Sequence, residues 1–323
     1  MNCLIIGAGQ LGSRHLQGLL SLKQEQVIYV LDLSSAAIKI AKERAKEINH
    51  SHDIIFISDW DKLPEEFNLV IVATGANVRE EVVTHLLERC VVHNLILEKI
   101  LFQDLEAYDK ILNLLEKTNT PTWVNHPRRM LSHFQEIKKT IAKSNEIMTF
   151  HVMGGSWGLA CNGLHFIDLC AFLVDSTVET IDMDWIDGNI HESKRPNCIE
   201  FTGSVKGRMK DESNFLITSL DGELVEVTIF ISTTSNRWII QEGRAQKIIH
   251  LSKENNFNPS ISSFITEFQS SLTTNIAKDI FESNSSKLPT YKEASASHIP
   301  FIEASLAKYR EITGIETNIC PIT

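Results

Sequence analysis

Three glycines near the amino terminus have the spacing of a phosphate-binding turn. Gly7, Gly9 and Gly12 form the pattern GxGxxG directly after the apolar run at residues 3–6. Backbone N–H groups and the start of a helix meet a pyrophosphate at such a turn. The next apolar run ends at Asp32, 20 residues after Gly12, where a carboxylate can bind a ribose 2′-hydroxyl. These residues predict a dinucleotide site.

The acid at this position also indicates which dinucleotide is bound. Asp32 would repel the 2′-phosphate of NADP, and no basic residue follows before Lys39. We therefore expect NAD, with NADP less favoured. The alternative is a glycine turn in an α/β fold that binds no dinucleotide. The strand before the turn, the helix after it and the acid argue against that alternative.

A second group of residues has types suited to acid–base chemistry. His165 and Asp168 are three residues apart and would share one face of a helix. The ordinary pKa of imidazole, about 6.5, suits proton transfer near neutral pH. Asp168 could orient the imidazole or bind a substrate hydroxyl. A helix-surface pair without a catalytic role is the alternative.

Two arginines and a tryptophan are candidates for substrate binding. The planar guanidinium groups of Arg128 and Arg129 suit phosphate or carboxylate recognition, which favours an anionic substrate such as a nucleotide sugar or a sugar acid. Solvated or interface arginines are the alternative. Trp157, in the glycine-rich segment 154–158, could cover a sugar ring or simply pack in the core.

The elements that would position these residues alternate up to about residue 125. Apolar strands alternating with helices indicate a parallel sheet covered on both faces. Ligands of such sheets bind at the carboxyl ends of the strands. The predicted strands are residues 3–6, 26–31, 54–57, 69–73, 94–97 and 122–125, and the predicted helices are residues 11–22, 35–48, 78–89 and 105–117.

The pattern changes after residue 125. Residues 149–153 and 180–251 are predicted as strands, and helices are predicted at 136–143, 164–173, 262–281 and 292–309. Asp221-Gly222, between residues 215–220 and 224–230, predicts a hairpin. We predict an α/β protein with a Rossmann dinucleotide-binding domain at residues 1–124. Residues 125–323 would form an α+β domain with a large, mainly antiparallel open sheet, for substrate binding and oligomerisation.

Composition excludes several classes of protein. The chain has 323 residues, with 31 Lys+Arg, 41 Asp+Glu and a net charge of −10, which argues against nucleic-acid binding. No apolar run is long enough for a membrane helix, and no basic region precedes an apolar stretch, so we expect neither membrane span nor signal peptide. The six scattered cysteines form no CxxC pair, so we expect no metal site and a cytoplasmic location.

Four segments together resemble the Gfo/Idh/MocA family of glucose–fructose oxidoreductase and inositol dehydrogenase. They are residues 7–15 (GAGQLGSRH), 70–74 (VIVAT), 98–100 (EKI) and 163–168 (GLHFID), and their order and rough spacing agree over nearly the whole chain. The resemblance implies an NAD(P)-dependent oxidoreductase. It also implies a homodimer or homotetramer formed through the sheet of the second domain.

The resemblance also implies roles for individual residues. Lys99 would hydrogen-bond the reacting oxygen, and His165 would act as the general acid/base. The residues expected to bind cofactor are Gly7, Gly9, Gln10, Leu11, Gly12, Asp32, Thr74, Gly75, Glu98 and Lys99. Those expected to bind substrate are Arg128, Arg129, Trp157, Cys161, Asn162 and Asp168.

The chain departs from the family pattern at several of these positions. Ile100 stands where the family has Pro, Gly75 also replaces a Pro, and Arg79 replaces a His. Cys161 replaces an Asp that many family dehydrogenases place four residues before the active-site His, and a thiol is a poor substitute in a proton relay. Three outcomes stay open: His165 and Lys99 act alone, the neighbouring Asn162 orients the substrate, or the redox step is lost or changed.

We therefore expect an NAD-dependent oxidoreductase of carbohydrate metabolism. It would transfer a hydride between the nicotinamide and a secondary alcohol or ketone of a sugar, cyclitol or nucleotide sugar. One alternative is an epimerase, lyase or glycosidase-type enzyme that retains its NAD. The other is a catalytically degenerate NAD-binding regulatory protein.

Overall fold

The computed structural model describes residues 1–323 and divides them into two compact units. The first unit contains Met1–Phe102, Glu106–Pro127 and Glu267–Lys292. The second contains Gln103–Leu105, Arg128–Thr266 and Glu293–Thr323. The sequence predicts a single division after residue 124, whereas the chain returns to the first unit near its carboxyl end.

The first unit is built on a six-stranded parallel sheet. Its order is β3-β2-β1-β5-β7-β8, and β4 and β6 form a separate parallel pair. This arrangement confirms the predicted Rossmann sheet. The strands are β1 (Asn2–Ile6), β2 (Val27–Leu31), β3 (Asp53–Ile57), β4 (Glu66–Phe67), β5 (Leu69–Val72), β6 (Val91–Val92), β7 (Leu95–Leu97) and β8 (Thr122–Val124).

Eight α-helices complete the two units. No helix combines the length and apolarity needed to cross a membrane. The helices are α1 (Gly12–Leu20), α2 (Ser35–Ala45), α3 (Ala76–Arg89), α4 (Glu106–Thr118), α5 (Ser132–Ser144), α6 (Leu159–Val174), α7 (Gln269–Ser283) and α8 (Tyr291–Thr313). Short 3₁₀ helices lie at Trp60–Lys62, Pro127–Met130 and Lys253–Asn255.

Helix α7 belongs to the first unit because it packs closely on α1. A Cβ at Gly18 would lie 2.5 Å from both the Ser270 carbonyl oxygen and the Thr273 Cβ, so only glycine permits this approach. Thr274 Oγ1 donates a hydrogen bond to the Gly18 carbonyl at 2.7 Å. The helix predicted from residue 262 begins later, at Gln269, because residues 260–263 pair as an edge strand instead.

The second unit is built on an eight-stranded sheet in the order β10-β11-β12-β9-β13-β14-β15-β16. All neighbours are antiparallel except β12 and β9, which confirms the predicted mainly antiparallel sheet. Helix α6 packs against β11 and β12. The strands are β9 (Thr149–Gly155), β10 (Val178–Glu192), β11 (Ile199–Met209), β12 (Asn214–Leu220), β13 (Val225–Ser232), β14 (Asn236–Gln241), β15 (Lys247–Ser252) and β16 (Ser260–Ser263).

The hairpin predicted around Asp221-Gly222 is wrong. β12 and β13 flank this turn, but β9 lies between them and pairs with both. At the end of β9, Gly155 stands opposite both Leu220 and Val225. The turn therefore passes over the end of a third strand, a long-range pairing that the local sequence does not reveal.

A row of apolar residues runs across one face of this sheet. Along the strands, these residues alternate with buried ones. The row is in cross-strand register, with His151 between Leu216 and Phe230. Phe230 is 38% exposed and Ile261 is 61% exposed. We call these residues the open-face row: Leu216, Phe230, Ile239, Ile249 and Ile261.

Candidate functional site

The carboxyl ends of the parallel strands bring the predicted cofactor residues to one edge of the first unit. The Gly7 amide donates to the Leu31 carbonyl at 2.9 Å, at the end of β1 and β2. The Glu98 amide donates to the Val72 carbonyl at 3.1 Å, at the end of β5 and β7. This common edge is where ligands of Rossmann sheets bind.

The geometry of the glycine turn fits a dinucleotide. Gly7 has φ +94°, a backbone conformation that favours glycine. The Ala8 amide donates to Asp32 Oδ2 at 2.7 Å, so the acid is held against the turn. Apart from Gly9 and its two chain neighbours, no residue comes within 4 Å of the point where a Gly9 side chain would start, which leaves room for a pyrophosphate. Thr74 Oγ1, just after β5, is buried without a hydrogen-bond partner and could bind the cofactor.

An arginine that the sequence did not single out holds this turn. Arg44, on α2, donates to the Gln10 carbonyl at 2.5 Å and to Ser13 Oγ at 2.7 Å, and it also binds the Gln10 side chain. No motif marks Arg44, because its contact depends on how α2 packs beside α1. Direct cofactor contacts of Gln10, Leu11 and Gly75 stay predictions.

A buried hydrogen-bond network supports the segment that carries Lys99. His15 hydrogen-bonds Glu98 through Nε2 at 2.9 Å and Thr273 through Nδ1 at 2.8 Å. Asn125 donates to the same Glu98 oxygen at 2.6 Å. Hydrogen bonds from His15 on α1 and from Asn125, the residue after β8, thus hold Glu98 in place. Lys99, only 6% exposed, follows Glu98 directly. His15, given no chemical role from the sequence, is placed here as a positioning residue.

Two departures from the family pattern meet in this region. The buried guanidinium of Arg79 donates to the carbonyls of Ile100, Leu101 and Thr74, the Leu101 contact being 2.9 Å long. The peptide bond between Lys99 and Ile100 is cis. Arg79 therefore joins the segments that follow β5 and β7, which explains how this side chain is used at that position.

The network makes a prediction for the pH dependence of stability. Burial favours a higher pKa for Glu98, but hydrogen bonds from His15 and Asn125 and the charges of His15 and Arg79 outweigh it and lower the pKa. Glu98 therefore stabilises the fold above its ordinary pKa of 4.5, and this contribution is lost as the pH falls through the lowered value. Glu98→Gln is expected to destabilise the protein most near neutral pH.

The measurement is urea unfolding of wild type and variant between neutral and acidic pH. The stability difference should shrink as the pH falls below 4.5. Glu43→Gln, on the exposed side of α2, is the matched control and should show little difference at any pH. If the stability lost in Glu98→Gln instead grew as the pH fell, the proposed role of the network would be contradicted.

In the second unit, the start of α6 and the segment before it are held firmly. Trp157 donates its indole N–H to the Thr218 carbonyl at 2.9 Å and packs edge-on against Phe166, 5.3 Å between ring centroids. Asn162 donates its side-chain amide to the Trp157 carbonyl at 2.9 Å. Glu200, on β11, accepts the Ala160 amide at 2.8 Å. Trp157 is therefore a fixed wall rather than a mobile cover.

A cavity of about 470 Å³ lies within this unit and contains three of the predicted substrate-binding residues. We call it the Trp157 cavity. Its lining includes Trp157, Cys161 and Asn162 together with Glu200, Thr202 and Ser219. The last three were not identified from the sequence, although buried polar residues on strands, here Thr202 and Ser219, are a usable signal.

The other predicted residues of this unit are outside the cavity lining. Arg128 forms a two-pronged ion pair with Glu242, at 2.5 and 3.0 Å. Arg129 binds both oxygens of the fully buried Asp168, at 2.9 and 2.7 Å. Each guanidinium thus already has a carboxylate partner, so substrate binding by these residues stays a prediction.

His165 is half-buried and lies one helical turn after Cys161 on α6. Because both oxygens of Asp168 bind Arg129, the structure uses this carboxylate in an ion pair. The acid/base role of His165 stays a prediction.

The parallel sheet, its glycine turn and the acid after the second strand define a dinucleotide-binding Rossmann unit. Residues 1–126 match the Gfo/Idh/MocA model, described as an oxidoreductase family with an NAD-binding Rossmann fold. This match confirms the resemblance and the NAD cofactor predicted from the sequence. No curated protein matches the chain by sequence.

Solved structures show the same fold over nearly the whole chain. An oxidoreductase from Agrobacterium radiobacter in complex with NAD⁺, L-tartaric acid and magnesium is 14% identical, with TM-score 0.69, over 98% of this chain and 97% of that one. UDP-N-acetylglucosamine 3-dehydrogenase from Acidithiobacillus ferrooxidans is 12% identical, with TM-score 0.70, over 94% and 95%. The transcriptional regulator Gal80p from Kluyveromyces lactis is 14% identical, with TM-score 0.72, over 96% and 92%. At such identities the likeness concerns the fold alone.

Proposed function

We propose that this protein is an NAD-dependent oxidoreductase acting on a secondary alcohol or ketone of a sugar-like substrate. The observation that carries the proposal is the buried network that fixes Glu98, and with it Lys99, at the same sheet edge as the glycine turn. This network joins α1, α7 and Asn125 to Glu98, the residue next to Lys99, and so supports a functional role for Lys99.

The roles follow from the chemistry of alcohol oxidation. The glycine turn and Asp32 would hold NAD, which would supply the acceptor for a hydride from the substrate carbon. Lys99 would stabilise the developing alkoxide through its ammonium group. His165 would take the hydroxyl proton, and in the reverse direction it would return that proton to the oxygen. Hydride and proton both leave the alcohol, so a ketone is the product.

The test is a screen of secondary alcohols, cyclitols and keto-sugars with NAD⁺ or NADH, following nicotinamide absorbance. We expect net interconversion of NAD⁺ and NADH with at least one sugar-like compound. NAD that copurifies, with substrate converted but no net NADH, would support the alternative of an epimerase, lyase or glycosidase-type enzyme.

A regulatory protein is the second candidate function. It is favoured by Cys161 in place of the family's acid and by the fold shared with the regulator Gal80p. Intact NAD binding with no reaction across the screen would support it and would overturn the oxidoreductase proposal.

We also propose a homo-oligomer, a dimer or a tetramer, formed through the open-face row. An exposed apolar row on a sheet is typical of an interface. Phe230→Glu is expected to shift the protein to a monomer in light scattering, because it places a charge in the middle of the row. Ile55→Glu, at a position 40% exposed on β3, is the matched control and should leave the mass unchanged.

A monomeric wild type would contradict this assembly.

We also predict a cytoplasmic location for the protein, a prediction that rests on its scattered cysteines.

A further inference from the structure

The glycine turn has two backbone amides that donate to no atom of the chain, those of Gln10 and Leu11. The carbonyls around them are used, because Gly9 accepts the Ser13 amide at 3.0 Å and Leu11 accepts the His15 amide at 3.0 Å. In a Rossmann turn, exposed N–H groups at the start of the helix meet the pyrophosphate. The direction of the Leu11 amide therefore matters for dinucleotide binding.

Arg44, on α2, fixes that direction. In a planar trans peptide, the carbonyl of one residue and the N–H of the next point in opposite directions. Arg44 Nη1 donates to the Gln10 carbonyl at 2.5 Å, so this carbonyl is held towards Arg44 and the Leu11 N–H is turned away from it. The same nitrogen donates to Ser13 Oγ at 2.7 Å, and Ser13 donates to the Gly9 carbonyl at 2.6 Å. One side chain thus holds the turn on both sides of Leu11.

The backbone of Arg44 is itself anchored to α1. The buried side-chain amide of Gln17 donates to the Arg44 carbonyl at 3.0 Å and to Glu47 Oε2 at 2.7 Å. Gln17 and Ser13 are four residues apart on α1, so the Arg44 side chain runs along this helix towards its amino end. These contacts involve protein atoms alone, and they are therefore in place before a cofactor binds.

The charge of Arg44 is not neutralised by an ion pair. Glu47, three residues later in the chain, pairs with Arg14 at 3.8 Å, whereas Arg44 has no carboxylate partner. A guanidinium stays charged over the physiological pH range. At the amino end of α1, this charge adds to the positive end of the helix dipole, and both favour a phosphate.

We propose that Arg44 is a positioning residue for the dinucleotide, which directs the Leu11 amide to the pyrophosphate and adds positive charge to the glycine turn. Arg44 would act through Gln10 and Ser13 rather than by touching the cofactor. The inference goes beyond the proposed function, because it concerns the binding of NAD and not the reaction that follows. A protein that binds NAD without any turnover would leave it intact.

The test is titration of the full chain with NADH, followed by fluorescence, and with ADP-ribose, followed by calorimetry. Arg44→Met keeps much of the apolar stem but loses the donors and the charge. We expect its Kd for both ligands, which share the pyrophosphate, to rise about tenfold. Lys42→Met is the matched control: it removes an exposed ammonium from the same helix, 5.2 Å from the centroid of the Phe56 ring, and should change Kd by less than about twofold.

Two further measurements separate positioning from a loss of structure, with melting temperatures recorded for each variant. Raising NaCl from about 20 mM to about 500 mM should narrow the difference between wild type and Arg44→Met, because salt screens the charge but not the packing of α2. Arg44→Lys keeps the charge but not the planar fork, so its Kd should lie about threefold above that of wild type and below that of Arg44→Met.

Wild-type affinity for NADH in Arg44→Met or Arg44→Lys would overturn the inference. So would an equal loss in Lys42→Met, or a loss in Arg44→Met that does not change with salt. These results are distinguishable from a failure of the proposed function, which the screen of alcohols and keto-sugars tests by turnover, whereas every measurement on Arg44 is one of binding.

Discussion

Replacing Lys99 by methionine is expected to lower turnover by about 10²–10⁴-fold, because the variant keeps most of the side-chain length but lacks the ammonium that would stabilise the alkoxide. NAD affinity should stay within about threefold of wild type, since the glycine turn and Asp32 would supply separate contacts. Steady-state kinetics on a substrate found in the screen, together with a fluorescence titration of NADH, would measure both quantities. Lys99→Ala should show the same loss.

Two controls show whether the loss in Lys99→Met comes from misfolding or from the general loss of a positive charge. Lys117→Met removes an exposed ammonium near the end of α4 and should leave turnover unchanged. Melting curves would show whether the Lys99→Met variant folds, which matters because Lys99 is buried. Wild-type turnover in folded Lys99→Met would refute the assignment of Lys99. Loss of NAD affinity in parallel with turnover would instead place Lys99 in cofactor binding.

Asp168→Asn is expected to destabilise the protein by about 3–5 kcal/mol, because it leaves the Arg129 guanidinium without its buried carboxylate. Both Asp168 oxygens bind Arg129, and Asp168, a residue of α6, is completely buried. Urea unfolding followed by circular dichroism would measure the change. The loss should extend to the stability of the second unit as a whole.

Control variants can show whether Asp168 acts as an ion-pair partner of Arg129 or as a substrate-binding residue. Asp182→Asn breaks a half-exposed pair with Lys206 and should change stability little. The double variant Arg129→Met/Asp168→Leu should recover much of the stability lost in Asp168→Asn, because no unpaired buried charge remains. If Asp168→Asn were as stable as wild type but impaired in substrate affinity, the substrate-binding role predicted from the sequence would be supported instead.

The first unit could be predicted because its signals are local. The glycine turn directly follows β1, and Asp32 directly follows β2, so parallel pairing brings them together without further information. The Ala8–Asp32 hydrogen bond is an example, because it joins the ends of two strands that are neighbours in the sheet.

The features that the sequence did not reveal depend on distant pairings. β9 enters the sheet between β12 and β13, so the local hairpin signal at Asp221-Gly222 was misleading. Glu200 meets the start of α6 only because β11 packs beneath that helix. The ion pair between Arg129 and Asp168 could not be predicted either, because residue type alone does not show that two opposite charges are partners.

The return of α7 to the first unit has a consequence for how the chain is made. The segment that matches the family ends at residue 126, yet Gly18 on α1 packs on a helix that begins at Gln269, and His15 needs Thr273. A ribosome must therefore synthesise the whole second sheet before the NAD-binding unit can bury its last helix. Although the amino-terminal unit comes first in the sequence, it is completed only after α7 has been synthesised.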